Sequence, residues 1–507
     1  MPLHILPYSP VQYNMNKPTI YQNTAIVTTL SVLERALGFL YRIVLARLLG
    51  AEGVGIYQIA LSHFFMFRTI GSGGIPVTLS RTVSRQNASG QSTQHGGALL
   101  AAALLSLAIT LPLTALFTPL LHAIPLFSAD HDALKILLFS LSATCLYATI
   151  KGYFWGNKRF LAPAALEIVE EICTVTFGVL FLLLAKDFTP AQGANKAALA
   201  MAIACFLSCA LSIFIVLTSR LRLSSPRPFW KETLCASLPI TAVRAGGTLV
   251  NATVAVLLPA MLMRSGMAQS EALQAFGVAT GMVLPLLCIP MTIIGSLATV
   301  LVPEISADAW AGKTLRLRAN VEKGIYFAAV TACLLLPIFC AVGKPLGLLT
   351  FGNALAGEML ERCCIILLPM SLCALTGSIL NSLGYEKHSF FFSLIGSAIF
   401  ILCIFFLPKA FGIYAYPIGM LFELLFCATA CLIFLQKRCP LSRTFYQKSA
   451  LAVVCILPLS LLGKAVYALL QQWLGAWGAP IAAAVCIIAA TILLFRCLHL
   501  LPSFQKK

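Results

Sequence analysis

ERALGFLYRIVLARLLG, residues 34–50, lies inside a run of about 25 mostly apolar residues, long enough for a helix to cross a bilayer. The run nevertheless carries Glu34, Arg35, Arg42 and Arg47. Charge within a membrane helix costs free energy, so it faces a wet cavity or a partner. Arg35 and Arg42 stand seven residues apart, two helical turns, and share one face with Gly38 between them. An interior face with two guanidiniums points to an anionic ligand.

The composition fits that reading. Of 507 residues, 59% are hydrophobic and only 10% charged, with a mean hydropathy of +0.91, which excludes an ordinary soluble protein. Long apolar runs recur through the whole chain without period-2 alternation, so a bundle of membrane helices is expected rather than an outer-membrane barrel. The first run is too long for a signal peptide and has no A-x-A-like site behind it, so it reads as a retained span. The 18 cysteines are scattered through apolar runs. Cys363–Cys364, Cys205 and Cys209 lack a matching ligand set at metal spacing and read as small hydrophobes. His63 and the pair His131–Asp132 have no catalytic constellation around them, and no nucleotide-binding motif or nucleophile elbow appears. No enzyme, no metal and no cofactor is expected.

Fourteen spans can be drawn, at about 24–48, 55–80, 97–120, 133–153, 162–185, 195–218, 233–262, 275–302, 322–342, 360–382, 389–408, 412–435, 449–469 and 478–499. With the N-terminus inside, 22 of the 35 lysines and arginines fall on the inner side, Lys151 among them, 9 on the outer side and 4 within spans. The net charge of +18 therefore reads as membrane orientation with both termini cytoplasmic, not as nucleic-acid binding. Ile70-Gly71-Ser72 late in span two recurs as Ile294-Gly295-Ser296 late in span eight, and Gly156-Asn157-Lys158 after span four as Gly384-Tyr385-Glu386 after span ten. A shift of six spans keeps the orientation, which predicts two parallel six-helix lobes with a site between them. The expected organisation is a cytoplasmic segment 1–23, an N-lobe 24–219, a basic linker 220–232, a C-lobe 233–436, and spans thirteen and fourteen with a short cytoplasmic tail over 437–507.

Four arginines lie within spans: Arg35, Arg42, Arg68 and Arg244. Counted along helices at 1.5 Å per residue, Arg35, Arg68 and Arg244 sit roughly 15–18 Å deep, near the middle of a ~30 Å core. At that depth snorkelling does not bring them to water. Guanidinium forks onto phosphate oxygens bidentately, so a central cavity for a phosphate or pyrophosphate is expected. The competing explanation is structural ion pairing, with Glu34, Glu167, Glu170, Glu171 and Glu423 as the available acids. Glu34 and Glu170 are candidates for ion pairing or for proton or sodium coupling. Gly71-Ser72-Gly73-Gly74-Ile75-Pro76 interrupts span two, and Pro239, Pro259, Pro285 and Pro290 interrupt spans seven and eight. Gly73, Gly74, Pro76, Pro239 and Pro285 are hinge candidates, with a merely kinked, packed helix as the alternative.

LERALGFLYRIVLARLLGAEGVGIYQ (33–58) and GIPVTLSR (74–81) resemble the start of the stage V sporulation protein B-like flippases of the multidrug/oligosaccharidyl-lipid/polysaccharide exporter superfamily. KGYFWGNKRFLAPAALEIVEE (151–171), FGVATGMVLPLLCIP (276–290), LATVLVPEIS (297–306) and ILNSLGYEK (379–387) are similar to its later signatures. The resemblance runs from about residue 24 to 440 and implies fourteen helices in two lobes, in the cytoplasmic membrane. Arg35 and Arg68 match cavity arginines of the related lipid II flippases. Their second arginine on helix one falls at Tyr41, with Arg42 next to it. Their helix-eight arginine falls near Thr280 and is missing, with Arg244 as the substitute. Glu170 matches an acid of the sporulation branch in span five, and that branch's acid after Asn251 falls near Val254 and is missing.

The expectation is a flippase that moves an undecaprenyl-pyrophosphate-linked saccharide, such as a peptidoglycan precursor, through an arginine-lined cavity by alternating access. Membrane lipids and the lipid-linked saccharide are the expected partners, with cell-wall synthesis enzymes beside them. The membrane potential or an H+ or Na+ gradient is the expected drive. The alternatives are a cation-coupled multidrug exporter on the same fold, and a non-transporting scaffold for cell-wall or spore envelope assembly.

Overall fold

The computed structural model describes residues 20–90, 92–120, 131–185, 187–219, 221 and 224–500. Most of the expected segment 1–23, the end of the tail from 501, and Lys186, Arg220 and Arg222 lie outside the described residues. Within them the chain is helical from end to end, as the composition requires.

The first helix, α1 (Ile20–Ser72), holds two spans. Unbroken, its 53 residues would reach about 80 Å, far beyond a ~30 Å core. Gly50, at φ 69° and ψ 176°, takes a backbone conformation open to glycine and turns the chain back on itself. Tyr57 beyond the turn therefore lies beside Tyr41 and Arg42 before it. The second limb breaks at Gly73–Gly74 and continues as α2 (Ile75–Ala88), with Pro76 in its first turn, where a missing N–H costs nothing. The N-lobe is completed by α3 (His95–Leu120), α4 (His131–Phe139) and α5 (Leu141–Gly156), α6 (Leu161–Leu183), and α7 (Pro190–Thr218). A reciprocal Thr189–Gln192 capping box starts α7.

The C-lobe repeats the plan. Its first span is α8 (Arg227–Arg264). The next is broken into α9 (Gln269–Gly277), a π-helical turn at Val278–Val283, α10 (Leu284–Leu287) and α11 (Ile289–Trp310). Then come α12 (Thr314–Phe351), the bent α13 (Ala354–Cys363) and α14 (Leu367–Ser382), α15 (Glu386–Phe406), and α16 (Pro408–Phe411) with α17 (Ala415–Arg438). The repeat is real, but its register in the broken spans differs from the Ile-Gly-Ser match. The helix restarts at Ile75-Pro76-Val77-Thr78 and at Ile289-Pro290-Met291-Thr292, because proline is accepted where a helix begins. Ile294-Gly295-Ser296 lies inside α11. The turns after α5 and α14 do correspond: Lys158 and Gly384 both have positive φ, and Arg159 and Tyr385 donate back to Phe154 and Leu380.

The last helices, α18 (Arg443–Val454) and α19 (Ile456–Cys497), pack mainly on α12. Gly475 (φ 67°) reverses α19 as Gly50 reverses α1, so Gly463 and Ile487 meet across the turn. Among the described residues eleven helices are long and apolar enough to cross a membrane, and the α4–α5 pair, bent by 43°, makes a twelfth. Two of these contain a reversing glycine, two are halves of the broken eighth span, and α6 is left out of that set by its three glutamates. Fourteen spans follow, in two pseudo-symmetric lobes with two appended helices, all helical as expected.

Candidate functional site

The break in the second span is one place where the two lobes touch through polar atoms. Gly73 N–H turns back to Thr69 O (2.7 Å), and Gly74 N–H is free of that ladder. It donates instead to Thr241 Oγ1 on α8, at 2.9 Å. Three residues on, Arg244 Nη1 donates to Gly73 O at 2.8 Å. Only glycine fits here: a Cβ on Gly74 would stand 2.2 Å from Ser237 O. Ser237, Thr241 and Arg244 follow one another along a single face of α8. Of the hinge candidates, Gly73, Gly74 and Pro76 form this break. Pro239 lies inside α8, which is helical throughout. Pro285 follows the π-helical turn, and the break itself lies three residues later at Cys288–Ile289. Proline removes a ladder donor, and the turn before Pro285 accommodates the loss by widening.

At a second seam the backbones of the two lobes come into direct contact at glycines. A Cβ on Gly55 would stand 2.1 Å from Leu273 O, and one on Gly277 would stand 2.1 Å from Ala51 O. Arg47 adds a polar tie there, donating to Thr350 O (2.8 Å) and to Leu349 O. Between these two seams the molecule is less tightly closed. The apolar stretch of α11 is only 18% buried, and α11 packs on α12 and α14 of its own lobe. Arg244, Asn251 and Thr253 of α8 are exposed. Polar residues within a span face water or protein rather than lipid; Arg244 and Asn251, seven residues apart, share one face of α8, and Thr253 lies on the other. A separate open groove of about 600 Å³, lined by Pro303, Ser378, Asn381 and Ser382 among others, lies between α11 and α14 and has no charged lining residue.

The four arginines are distributed rather than converged. Arg35 and Arg42 are exposed on α1. Gly38 between them faces α6, where a Cβ would stand 3.0 Å from Glu171 Oε1. Arg42 neighbours Glu171 and, across the lobes, Cys288. Arg68 is half-buried and turns toward Glu170, Tyr147 and Cys205. Arg244 holds the Gly73 carbonyl. Among the described residues none of the four makes an ion pair within 4.0 Å.

The acids are accounted for differently. Lys151 is not a loop residue, as its place near the end of span four implied. It is buried in α5 with Nζ 2.9 Å from Glu167 Oε1 and 4.7 Å from the centre of the Tyr147 ring. Glu170 accepts from Cys205 Sγ at 3.6 Å. Glu34 has Glu167, Glu170 and Lys151 as charge neighbours. This interior of α1, α5, α6 and α7 is a site that sequence reasoning missed in part. The available signal was that Lys151 stands five residues before the Gly156 turn, more than a helical turn inside the span. In the C-lobe, Glu423 has, among the described residues, only Ser397 Oγ as a weak donor, at 3.4 Å. No metal-holding group of His, Cys, Asp or Glu occurs among the described residues.

A profile of the polysaccharide biosynthesis protein family matches residues 20–307, more than half of the chain, so the chain belongs to that family. Stage V sporulation protein B of Bacillus subtilis (strain 168) is 25% identical over 403 residues, covering 76% of this chain and 77% of the relative. The solved structure of lipid II flippase MurJ in an inward closed conformation superposes with a TM-score of 0.69 at 14% identity, over 94% of this chain and 99% of that one. An inward-facing multidrug resistance MATE family transporter of the MOP superfamily gives 0.68 at 12% identity, over 80% and 94%. The fold is that of these solved transporters, and the protein is a multi-pass membrane protein.

Proposed function

We propose that the protein is a flippase carrying an undecaprenyl-pyrophosphate-linked saccharide across the cytoplasmic membrane, with its basic face and both termini in the cytoplasm. The observation that carries the reading is the unmatched state of Arg35, Arg42, Arg68 and Arg244. Four guanidiniums within spans, with no carboxylate in ion-pair contact among the described residues, are a standing demand for an anion. A pyrophosphate meets it with several charged oxygens and suits the fork of the guanidinium. The saccharide follows the pyrophosphate into the space between the lobes, and the prenyl tail stays in lipid. Carrying the anion outward is favoured by an inside-negative potential, by roughly 2.3 kcal/mol per charge per 100 mV. Glu34 and Glu170, beside Lys151 and Arg68, are where a proton or sodium ion would couple. Membrane lipids and enzymes of cell-wall synthesis complete the proposed partners.

Binding tests the reading. Purified protein in nanodiscs is titrated with undecaprenyl pyrophosphate. Losing one charge-assisted contact of ~1.5–3 kcal/mol corresponds to a Kd raised about 10- to 100-fold. That rise is expected in Arg42→Ala and in Arg68→Ala. Unchanged affinity in both variants would overturn the cavity. The acid cluster favours a second reading, a cation-coupled exporter of amphipathic drugs. It requires a cationic ligand whose binding falls in Glu34→Gln and Glu170→Gln while the arginine variants bind normally.

A further inference from the structure

We infer that Thr241 and Arg244 are a clasp on the broken ends of the second span, and that the anion in the cavity releases it. The inference rests on the flippase reading for its ligand and on geometry for the clasp. At the break the chain offers α8 one amide N–H and one carbonyl on adjacent residues, Gly74 and Gly73. α8 answers with one acceptor, Thr241 Oγ1 at 2.9 Å, and one donor, Arg244 Nη1 at 2.8 Å. Neither glycine has a side chain with which to hold the neighbouring helix, and α8 comes close enough that a Cβ on Gly74 would collide with Ser237. The two hydrogen bonds are therefore the polar tie between α8 of one lobe and the break of the other. One more tie lies farther toward the basic face, where Arg85 meets Glu232 at 2.5 Å. That pair is exposed and weak.

Arg244 is also one of the four unmatched arginines. A neutral carbonyl is a poorer acceptor for guanidinium than a phosphate oxygen, and bidentate capture of a phosphate uses two N–H groups in one plane. Reorienting the guanidinium onto the phosphate takes Nη1 off Gly73 O. The break then keeps only the Thr241 bond to α8. Glycine at both positions lets the backbone there adopt a new φ and ψ without a side-chain clash. Anion binding is thus coupled to freedom of the hinge, as an exchange of one arginine between two acceptors.

Amide hydrogen exchange reads this directly, because Gly74 N–H is one of the clasped atoms. Full-length protein in nanodiscs is compared with and without undecaprenyl pyrophosphate, and retention of radiolabelled lipid is measured on the same samples. In wild type, peptides covering 69–80 should exchange slowly alone and faster with lipid. Arg244→Met, which removes the donor, should exchange fast over 69–80 without lipid and show no further response. Arg244→Lys, which keeps a donor, should restore slow exchange, and Thr241→Val should release the amide alone. Slow exchange in lipid-free Arg244→Met would overturn the clasp, and so would acceleration spread over the whole lobe. Lipid retained by wild type with unchanged exchange would overturn the release. No retention would overturn the phosphate reading and the release with it, while the lipid-free variants still decide the clasp.

Discussion

The protein holds charge within its helices in two neighbouring places, and they are built on opposite terms. Between α5 and α6, Lys151 and Glu167 are matched at 2.9 Å with side chains 11% and 28% exposed. Along α1 the arginines have charge neighbours and at the α8 seam Arg244 has a carbonyl, but none has an ion pair among the described residues. A matched pair removed from water contributes to the shape of a lobe, and breaking one side of it is costly. An unmatched charge adds little to stability and is retained for a ligand. The difference separates residues that hold the lobe from residues that serve transport, although both kinds are equally conspicuous as charges in apolar helices.

That separation can be broken experimentally. Lys151→Met strands Glu167 in the lobe and should lower stability by about 3 kcal/mol, the low end for a buried pair because Glu167 keeps some exposure. Thermal unfolding in detergent would show it. Adding Glu167→Gln to Lys151→Met should recover a large part of the loss, as a double-mutant cycle for a coupled pair demands. Arg35→Ala and Arg42→Ala should shift stability by less than about 0.5 kcal/mol, the range of substitutions that remove no packing or pairing. Their effect should appear in lipid binding instead. Arg85→Ala sharpens the other end of the scale. Its pair with Glu232 is exposed on both sides, so about 0.5 kcal/mol or less is expected, decreasing with added salt. Arginine variants that unfold as readily as Lys151→Met would erase the distinction.

Much of this was legible in the sequence. Span number, helical class and the two-lobe repeat follow from apolar run length, basic loops and turn residues. All of these are local or periodic signals. The glycine break was visible because Gly73-Gly74-Ile75-Pro76 cannot continue a helix. Its partner was not, since Thr241 has no unusual neighbour and only the fold brings α8 to it across 167 residues. Lys151 was read with the loops because basic residues near span ends usually are loop residues, and burial depends on α6 arriving from the next span. The repeat was registered on Ile-Gly-Ser because identity is easier to see than the rule that proline marks a helix start. The equivalence of Pro76 and Pro290 became plain only once both were seen to open a helix.

The central claim is that an anion-binding wall moves a lipid-linked saccharide. Flipping in proteoliposomes tests it most directly. Fluorescent lipid II and a simpler undecaprenyl-pyrophosphate sugar would be compared in wild type, Arg35→Ala and Arg68→Ala, with and without an imposed potential. Protein-dependent flipping of at least one lipid is expected, faster when the potential drives the anion outward, and lost in both variants while their melting stays at the wild-type temperature. Flipping of neither lipid by folded wild type, or variants that flip as fast as wild type, would contradict it.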